Sequence, residues 1–210
     1  MKYIKKKGAE GGDILEIISR LISMMNKLLT DSEKELAQTF GPLCETISTL
    51  ASSKDIALIK EWIGGTIGFK LIFKATKDGF GAADFHKLCN GVAPLLIIIK
   101  TNFGKLIGGY TILSYNSTGG WIVDNSSKCF LFSLTLGKKY PMISTANTIY
   151  DGFTYGPTFG VGHDLCLVNN CNTASGSYCN MGTSYTKENP TSFAGAKNFT
   201  VVDYEVFKVL

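Results

Sequence analysis

The chain has 210 residues, of which 45% are hydrophobic and 18% charged, and its net charge is +4. This composition excludes an intrinsically disordered chain, and the length suits one domain with an appendage and a sizeable core. The mild charge gives no reason to expect a nucleic-acid partner.

The first apolar stretch, DILEIISRLISMMNKLL, is interrupted by Asp13, Glu16, Arg20 and Lys27. These charges make it unsuitable as the core of a signal peptide or as a transmembrane segment. Without a secretory signal, we expect the six cysteines to be reduced thiols and the protein to be cytoplasmic.

Two amphipathic helices are predicted at the start of the chain. Apolar residues from Ile14 to Leu28 and from Leu36 to Leu50 recur with the spacing of one helical face. Between them, Thr30 and Glu33 have the spacing of a capping box. We therefore predict that residues 1–45 form a helical hairpin and an interaction segment.

The first helix has a further apolar seam, formed by Leu15, Ile22 and Leu29. A hairpin covers only one face of each helix, so this seam needs another partner. Two alternatives remain open. The seam packs on the rest of this chain, or it is a helical interface with another protein or a second copy.

A third helix is predicted after Ser52, which has capping-box spacing to Asp55, and it ends at Gly64-Gly65. Beyond it, the apolar period changes to two in FKLIFK, LLIIIK, LIGGYTIL, CFLFSLTL and FTVVDYEVFKV, and a short helix interrupts them at residues 82–89. In FKLIFK the alternation places Phe69, Leu71 and Phe73 on one face. For residues 46–210 we predict an α+β fold, an antiparallel two-sheet β-sandwich with short flanking helices.

Six motifs occur in a fixed order over this region: KDGFGAADFHKLCNG, a strand ending in IIKT, GKLIGGYT, KCFLFSL, YGPTFGVGHDL and FTVVDYEVF. Together with the preceding helix ALIKEWIGG, they resemble the TLDc domain from about Ile47 to the C-terminus. The chain departs from the family pattern at Asn90, where an acidic residue is usual, and at Val161, where glycine is common. Residues before position 45 are not covered by the resemblance.

The resemblance implies a β-sandwich flanked by short helices. It also implies a role in protection from oxidative stress and, in several members, binding to the vacuolar proton ATPase (V-ATPase) and control of its assembly. It carries over no catalytic mechanism, so the candidate residues have to be judged by their own chemistry.

The pair His163-Asp164 follows two glycines in FGVGHDLCL and has three interpretations: architecture, partner binding or catalysis. A catalytic histidine needs an aspartate that reaches its far ring nitrogen. If HDLCLV is a strand, the two side chains point to opposite faces and cannot easily touch. Architecture is therefore favoured, with Gly160 and Gly162 forming the turn.

Metal and thiol chemistry are both disfavoured. His163, Cys166, Cys171 and Cys179 lack the paired short spacings of a zinc site. Cys89 is expected at a helix C-terminus, where the helix dipole disfavours a thiolate. Cys171 and Cys179 lie in a predicted loop, where both exposure and packing in the core remain open. We predict no metal and no cofactor.

The sequence thus favours a noncatalytic protein-interaction protein that binds the V-ATPase or acts in oxidative-stress protection. The alternatives are a structural component of a filament or membrane-associated assembly, and a redox enzyme that uses a loop cysteine or His163. The candidate interaction or architectural residues are Gly160, Gly162, His163, Asp164, Asp84 and His86.

Overall fold

The computed structural model describes residues 16–25, 27 and 47–210. The chain divides into two units, Met1–Glu45 and Thr46–Leu210. In the first unit, helix α1 comprises residues 16–25, and residue 27 is also helical. Its Arg20 guanidinium lies 2.9 Å from the Glu16 carboxylate one turn earlier.

The predicted helical hairpin falls largely outside the described residues, including Leu15 and Leu29. Within the described part of α1, Ile22 is exposed, as are Leu21 and Met25. The end of the second predicted helix is wrong, because residues 47–52 are not helical. Ile47 and Leu50 instead pack against an apolar cluster of the second unit.

Helix α2, Ser53–Ile63, begins and ends where the sequence predicts. The Ser52 side chain accepts a hydrogen bond from the backbone N–H of Asp55, whose carboxylate accepts one from the backbone N–H of Ser52. Gly64 ends the helix with a φ of 86°, a conformation that suits glycine. The remaining helices are short: α3 is Ala75–Asp78, α4 is Ala82–Cys89 and α5 is Pro190–Phe193.

Twelve strands follow α2, and they form two antiparallel six-stranded sheets. The strands of the first sheet are β1 Phe69–Lys74, β2 Leu95–Thr101, β3 Leu106–Thr111, β5 Phe130–Ser133, β6 Lys138–Pro141 and β12 Val201–Val209. Those of the second sheet are β4 Trp121–Ile122, β7 Ile149–Tyr150, β8 Tyr155–Phe159, β9 Leu165–Val168, β10 Ser177–Cys179 and β11 Asn198–Phe199. The orders are β1-β12-β2-β3-β5-β6 and β11-β10-β9-β8-β7-β4. The predicted α+β sandwich is confirmed.

The first sheet is buried on both faces. Tyr204 and Val206 of β12 belong to a core that also contains Phe159 and Leu165 of the second sheet, so this core lies between the sheets. Phe207 of β12 points the other way, into an outer core that α2 covers. Strand β12 therefore contributes to both cores, as does its neighbour β2.

A buried ion cluster attaches the segment before α2 to the first sheet. The fully buried Glu205 carboxylate accepts hydrogen bonds from the hydroxyls of Ser48 (2.5 Å) and Thr49 (2.7 Å), and from the Lys74 ammonium (2.9 Å). Burial alone would raise the pKa of Glu205, but these donors outweigh burial and lower it. The Lys74 ammonium also lies 2.9 Å from the Asp203 carboxylate.

One detail of the predicted alternation is wrong. The pairing of β1 with β12 shifts between Leu71 and Phe73, which is a β-bulge. Phe69 therefore packs in the outer core, whereas Phe73 packs in the core between the sheets. Leu71, expected beside them, is exposed.

Candidate functional site

A tight turn carries the glycine-histidine motif between β8 and β9. Gly160, Gly162 and His163 all have positive φ, at 80°, 73° and 59°. The sequence allows HDLCLV to be one strand, but β9 begins only at Leu165. His163 and Asp164 therefore lie before this strand. Glycine is required at position 160, because a Cβ there would lie 2.0 Å from the Asp164 carboxylate.

Asp164 organises the loop after β10. Its fully buried carboxylate accepts hydrogen bonds from four backbone N–H groups, at 2.8 Å from Gly182, 3.1 Å from Thr183, 3.1 Å from Ser184 and 3.4 Å from Tyr185. Burial raises the pKa of Asp164, and the four N–H donors oppose the rise because they favour the carboxylate. These contacts favour an architectural role for Asp164.

His163 lies among aromatic rings on the outer side of the second sheet. Its ring centroid is 5.3–5.8 Å from those of Trp121, Tyr150, Tyr155 and Tyr178, and we call these five residues the His163 cluster. The Tyr178 hydroxyl is 2.8 Å from Nδ1 of His163. Burial lowers the pKa of His163, which favours the neutral imidazole.

The described geometry does not bring His163 and Asp164 together as a dyad. The Asp164 carboxylate makes its hydrogen bonds to backbone N–H groups of residues 182–185, and the histidine nitrogen bonds to Tyr178. The two side chains diverge because His163 has a left-handed backbone conformation, not because they alternate along a strand.

His86 and Asp84, on α4, support the same region. His86 Nε2 lies 3.2 Å from the Gly152 carbonyl oxygen and 3.0 Å from that of Tyr155. Helix α4 thereby fixes the backbone of Tyr155, whose ring contacts His163. Asp84 accepts a hydrogen bond of 3.0 Å from the backbone N–H of Gly81 at the helix start. Both residues therefore have structural contacts.

Two other buried aspartates build the neighbouring loops in the same way. Asp151 accepts hydrogen bonds from the backbone N–H groups of Asn116, Ser117 and Thr118, which precede β4. Asp124 likewise accepts a hydrogen bond from the backbone N–H of Cys129. In each loop, a carboxylate satisfies N–H groups that would otherwise be unpaired.

The surface of this region is almost free of charge. Residues 106–127 and 140–186 contain no lysine, arginine or glutamate. Their aspartates, Asp124, Asp151 and Asp164, are all buried. Strands β4 and β7 to β10 all lie in these stretches, so the His163 cluster is surrounded by uncharged polar and aromatic residues.

The cysteines of the described chain are all buried, including the two in the predicted loop, whose exposure the sequence left open. Cys171 and Cys179 are 1% and 0% exposed. Burial raises the pKa of both thiols to about 12 and that of Cys166 to about 11. Among described residues, no three His, Cys, Asp or Glu side chains are close enough together to hold a metal ion.

These features define an antiparallel β-sandwich with carboxylate-organised loops and an uncharged aromatic surface on one sheet. The family model for the TLDc domain matches residues 44–210, so the chain belongs to the TLDc family. No curated protein matches the chain. Within its described residues, no helix is both long and apolar enough to cross a membrane.

The sequence identified His163 but not the tyrosines and tryptophan that surround it. Their strands have two to five residues, too few to show an alternating pattern. One available signal was the long stretch without surface charge. Interface cores are typically depleted of charge and enriched in aromatic residues, and this composition could have indicated the cluster.

Proposed function

We propose that the protein is a noncatalytic protein-interaction module whose uncharged aromatic surface binds a partner. The single observation that carries the proposal is the His163 cluster, placed within stretches that expose no charged side chain. Tyrosine and tryptophan are the residues that most often dominate binding energy at protein interfaces.

The cluster is rigidly supported, which favours recognition. Tyr155 is held through its carbonyl by His86, and Tyr150 precedes the buried Asp151 that orders residues 116–118. A preorganised surface loses little conformational entropy when a partner binds. Phe153, in the loop between β7 and β8, adds a side chain that is 66% exposed.

The partner we propose is the V-ATPase, because the protein belongs to the TLDc family and several members bind this pump. A role in oxidative-stress protection would then come from binding rather than from peroxide reduction. The described thiols favour this view, since burial raises their pKa values and a thiol reacts as the thiolate.

Binding of the purified protein to purified V-ATPase, measured by sedimentation, tests the proposal. We expect Trp121→Ser to weaken binding by about 30-fold or more, the effect of losing one interface hot spot. Phe153→Ser is the milder variant. Phe103→Ser is its control, since Phe103 is also an exposed phenylalanine, at 48%, and lies in the β2–β3 loop of the other sheet.

The outcomes separate the alternatives. Weakening by Trp121→Ser and Phe153→Ser but not by Phe103→Ser supports the proposal. Native protein that does not sediment with the pump rejects the V-ATPase as partner. A peroxide-reducing or hydrolytic turnover that disappears in a folded His163→Ala variant rejects the noncatalytic assignment.

A further inference from the structure

A cavity of about 580 Å³ lies on the outer face of the first sheet, beside the C-terminal end of α2. Its aromatic wall is formed by Trp62, Tyr110 and Phe130, with Ile67 and Val209 contributing aliphatic surface. Cavities that hold small molecules have this size range and this combination of apolar walls with a few polar groups. It is separate from the His163 cluster, which lies on the second sheet.

The charged side chains that line the cavity are all positive. Lys128 and Lys139 line it, and none of its described lining residues is an aspartate or glutamate. In the described chain, no carboxylate lies within ion-pair distance of either ammonium group. Burial lowers the pKa of Lys139, as expected for an ammonium that lacks a counter-ion.

Lys139 is held in place rather than freely mobile. Its ammonium donates a hydrogen bond of 2.8 Å to the Trp62 carbonyl oxygen and lies 4.4 Å from the centroid of the Phe130 ring. An ammonium group has three N–H donors, and only one of them is used by this carbonyl. The others are available to an anion beside the aromatic wall.

Tyr110 provides a second polar group. The residue is only 7% exposed, yet its hydroxyl has no hydrogen-bond partner among the described residues. Burial raises the pKa of Tyr110, so the hydroxyl stays protonated and can donate. Among the described residues no buried side-chain oxygen lacks a partner, so the unpaired Tyr110 hydroxyl is open to solvent and can donate to a ligand in the cavity.

We propose that this cavity binds a small amphipathic anion, with its apolar body against the aromatic wall and its anionic head at the Lys139 ammonium. Charge complementarity selects the anion, because a cationic head would meet two ammonium groups and a neutral head would leave Lys139 without a counter-ion. The apolar walls select a ligand with a hydrocarbon or aromatic body. This site is independent of the proposed partner binding.

Decanoate and the matched neutral alcohol 1-decanol are the probes, and titration calorimetry is the measurement. We expect decanoate to bind one site with a dissociation constant on the order of 100 µM and decanol to bind about tenfold more weakly. Fluorescence of Trp62 in a Trp121→Phe background, where it is the single tryptophan, should change with the same constant.

Variants locate the head group. We expect Lys139→Gln to reduce decanoate affinity to that of decanol while decanol affinity stays unchanged, and Lys139→Arg to retain the preference for decanoate. Lys138→Gln is the matched control, because Lys138 pairs with Glu188 at 3.2 Å and does not line the cavity. Tyr110→Phe should weaken decanoate severalfold.

Three outcomes would overturn the proposal. One is the absence of decanoate binding at about 1 mM, tenfold above the expected constant. Another is equal affinity of decanoate for the native protein and for a folded Lys139→Gln variant. The third is saturable binding that leaves Trp62 fluorescence unchanged. Melting temperatures of all variants establish that they are folded.

Discussion

Replacing Asp164 with alanine should test most severely whether the His-Asp motif is architectural. The substitution removes an acceptor from four backbone N–H groups that lie 2.8–3.4 Å away. A buried donor left unsatisfied costs about 1–3 kcal/mol, and water entering the vacated space will satisfy some of the four. We therefore expect a loss of about 3–5 kcal/mol, in the range measured when one partner of a buried charged interaction is removed.

The expected loss is large enough to measure and small enough to leave a folded population. For a domain of this size, it corresponds to a fall in melting temperature of roughly 6–20 °C. Asp164→Asn should cost about half as much, because its amide oxygen still accepts from Gly182 and Thr183 while its NH₂ group faces the N–H of Ser184.

Urea unfolding followed by circular dichroism measures these differences as changes in the free energy of unfolding. Glu61→Gln is the control, since it removes a carboxylate that is exposed on α2 and has no hydrogen bond within the described chain. If Asp164→Ala changes the free energy of unfolding by less than about 0.5 kcal/mol, the typical range for surface substitutions, the architectural assignment is refuted.

The remaining predictions concern packing, thiols and pH. Gly108→Ala should destabilise the unit by about 3 kcal/mol or more, because the added Cβ would lie 2.0 Å from the Ile97 carbonyl oxygen. Gly120→Ala is the control. Open space surrounds Gly120, so this variant should leave the free energy of unfolding unchanged in the same urea assay. In a Cys44→Ser background, only the five described thiols remain, and all of them are buried. They should react with Ellman's reagent only after denaturant is added, and rapid reaction in native buffer would contradict their burial. Hydrogen bonds from Ser126 and the Cys129 backbone outweigh burial and lower the pKa of Asp124 from 3.8 to about 2. Its ionised form therefore contributes stability above about pH 4 that is lost as pH falls towards 2, and Asp124→Asn should flatten the dependence of melting temperature on pH in that window.

The first sheet was predictable because its strands carry a clear signal. The stretches LLIIIK and FTVVDYEVFKV are long enough to show strand character, and they contain most of β2 and all of β12. Ser52 and Gly64 fixed the limits of α2 through capping chemistry that acts over a few residues. These features depend on residues that are close together in the sequence, so a single sequence is enough to predict them.

The second sheet and the contacts of the site were not predictable in the same way. Tyr150 and Tyr178 lie in strands of two and three residues. Asp164 was recognised as polar and adjacent to His163, but its actual partners begin at Gly182, and no spacing rule connects them. The bulge at Leu71 likewise depends on pairing with β12 and not on the β1 sequence alone.

The proposed partner-binding role of the His163 cluster can be tested most directly by hydrogen-exchange mass spectrometry of the protein with and without purified V-ATPase. We predict slower amide exchange in the bound protein over residues 116–124, 149–163 and 175–180, which carry the cluster and its loops, and no such slowing in Trp121→Ser. Unchanged exchange throughout these segments, or protection confined to the first sheet, would contradict the assignment of this surface as the partner-binding site.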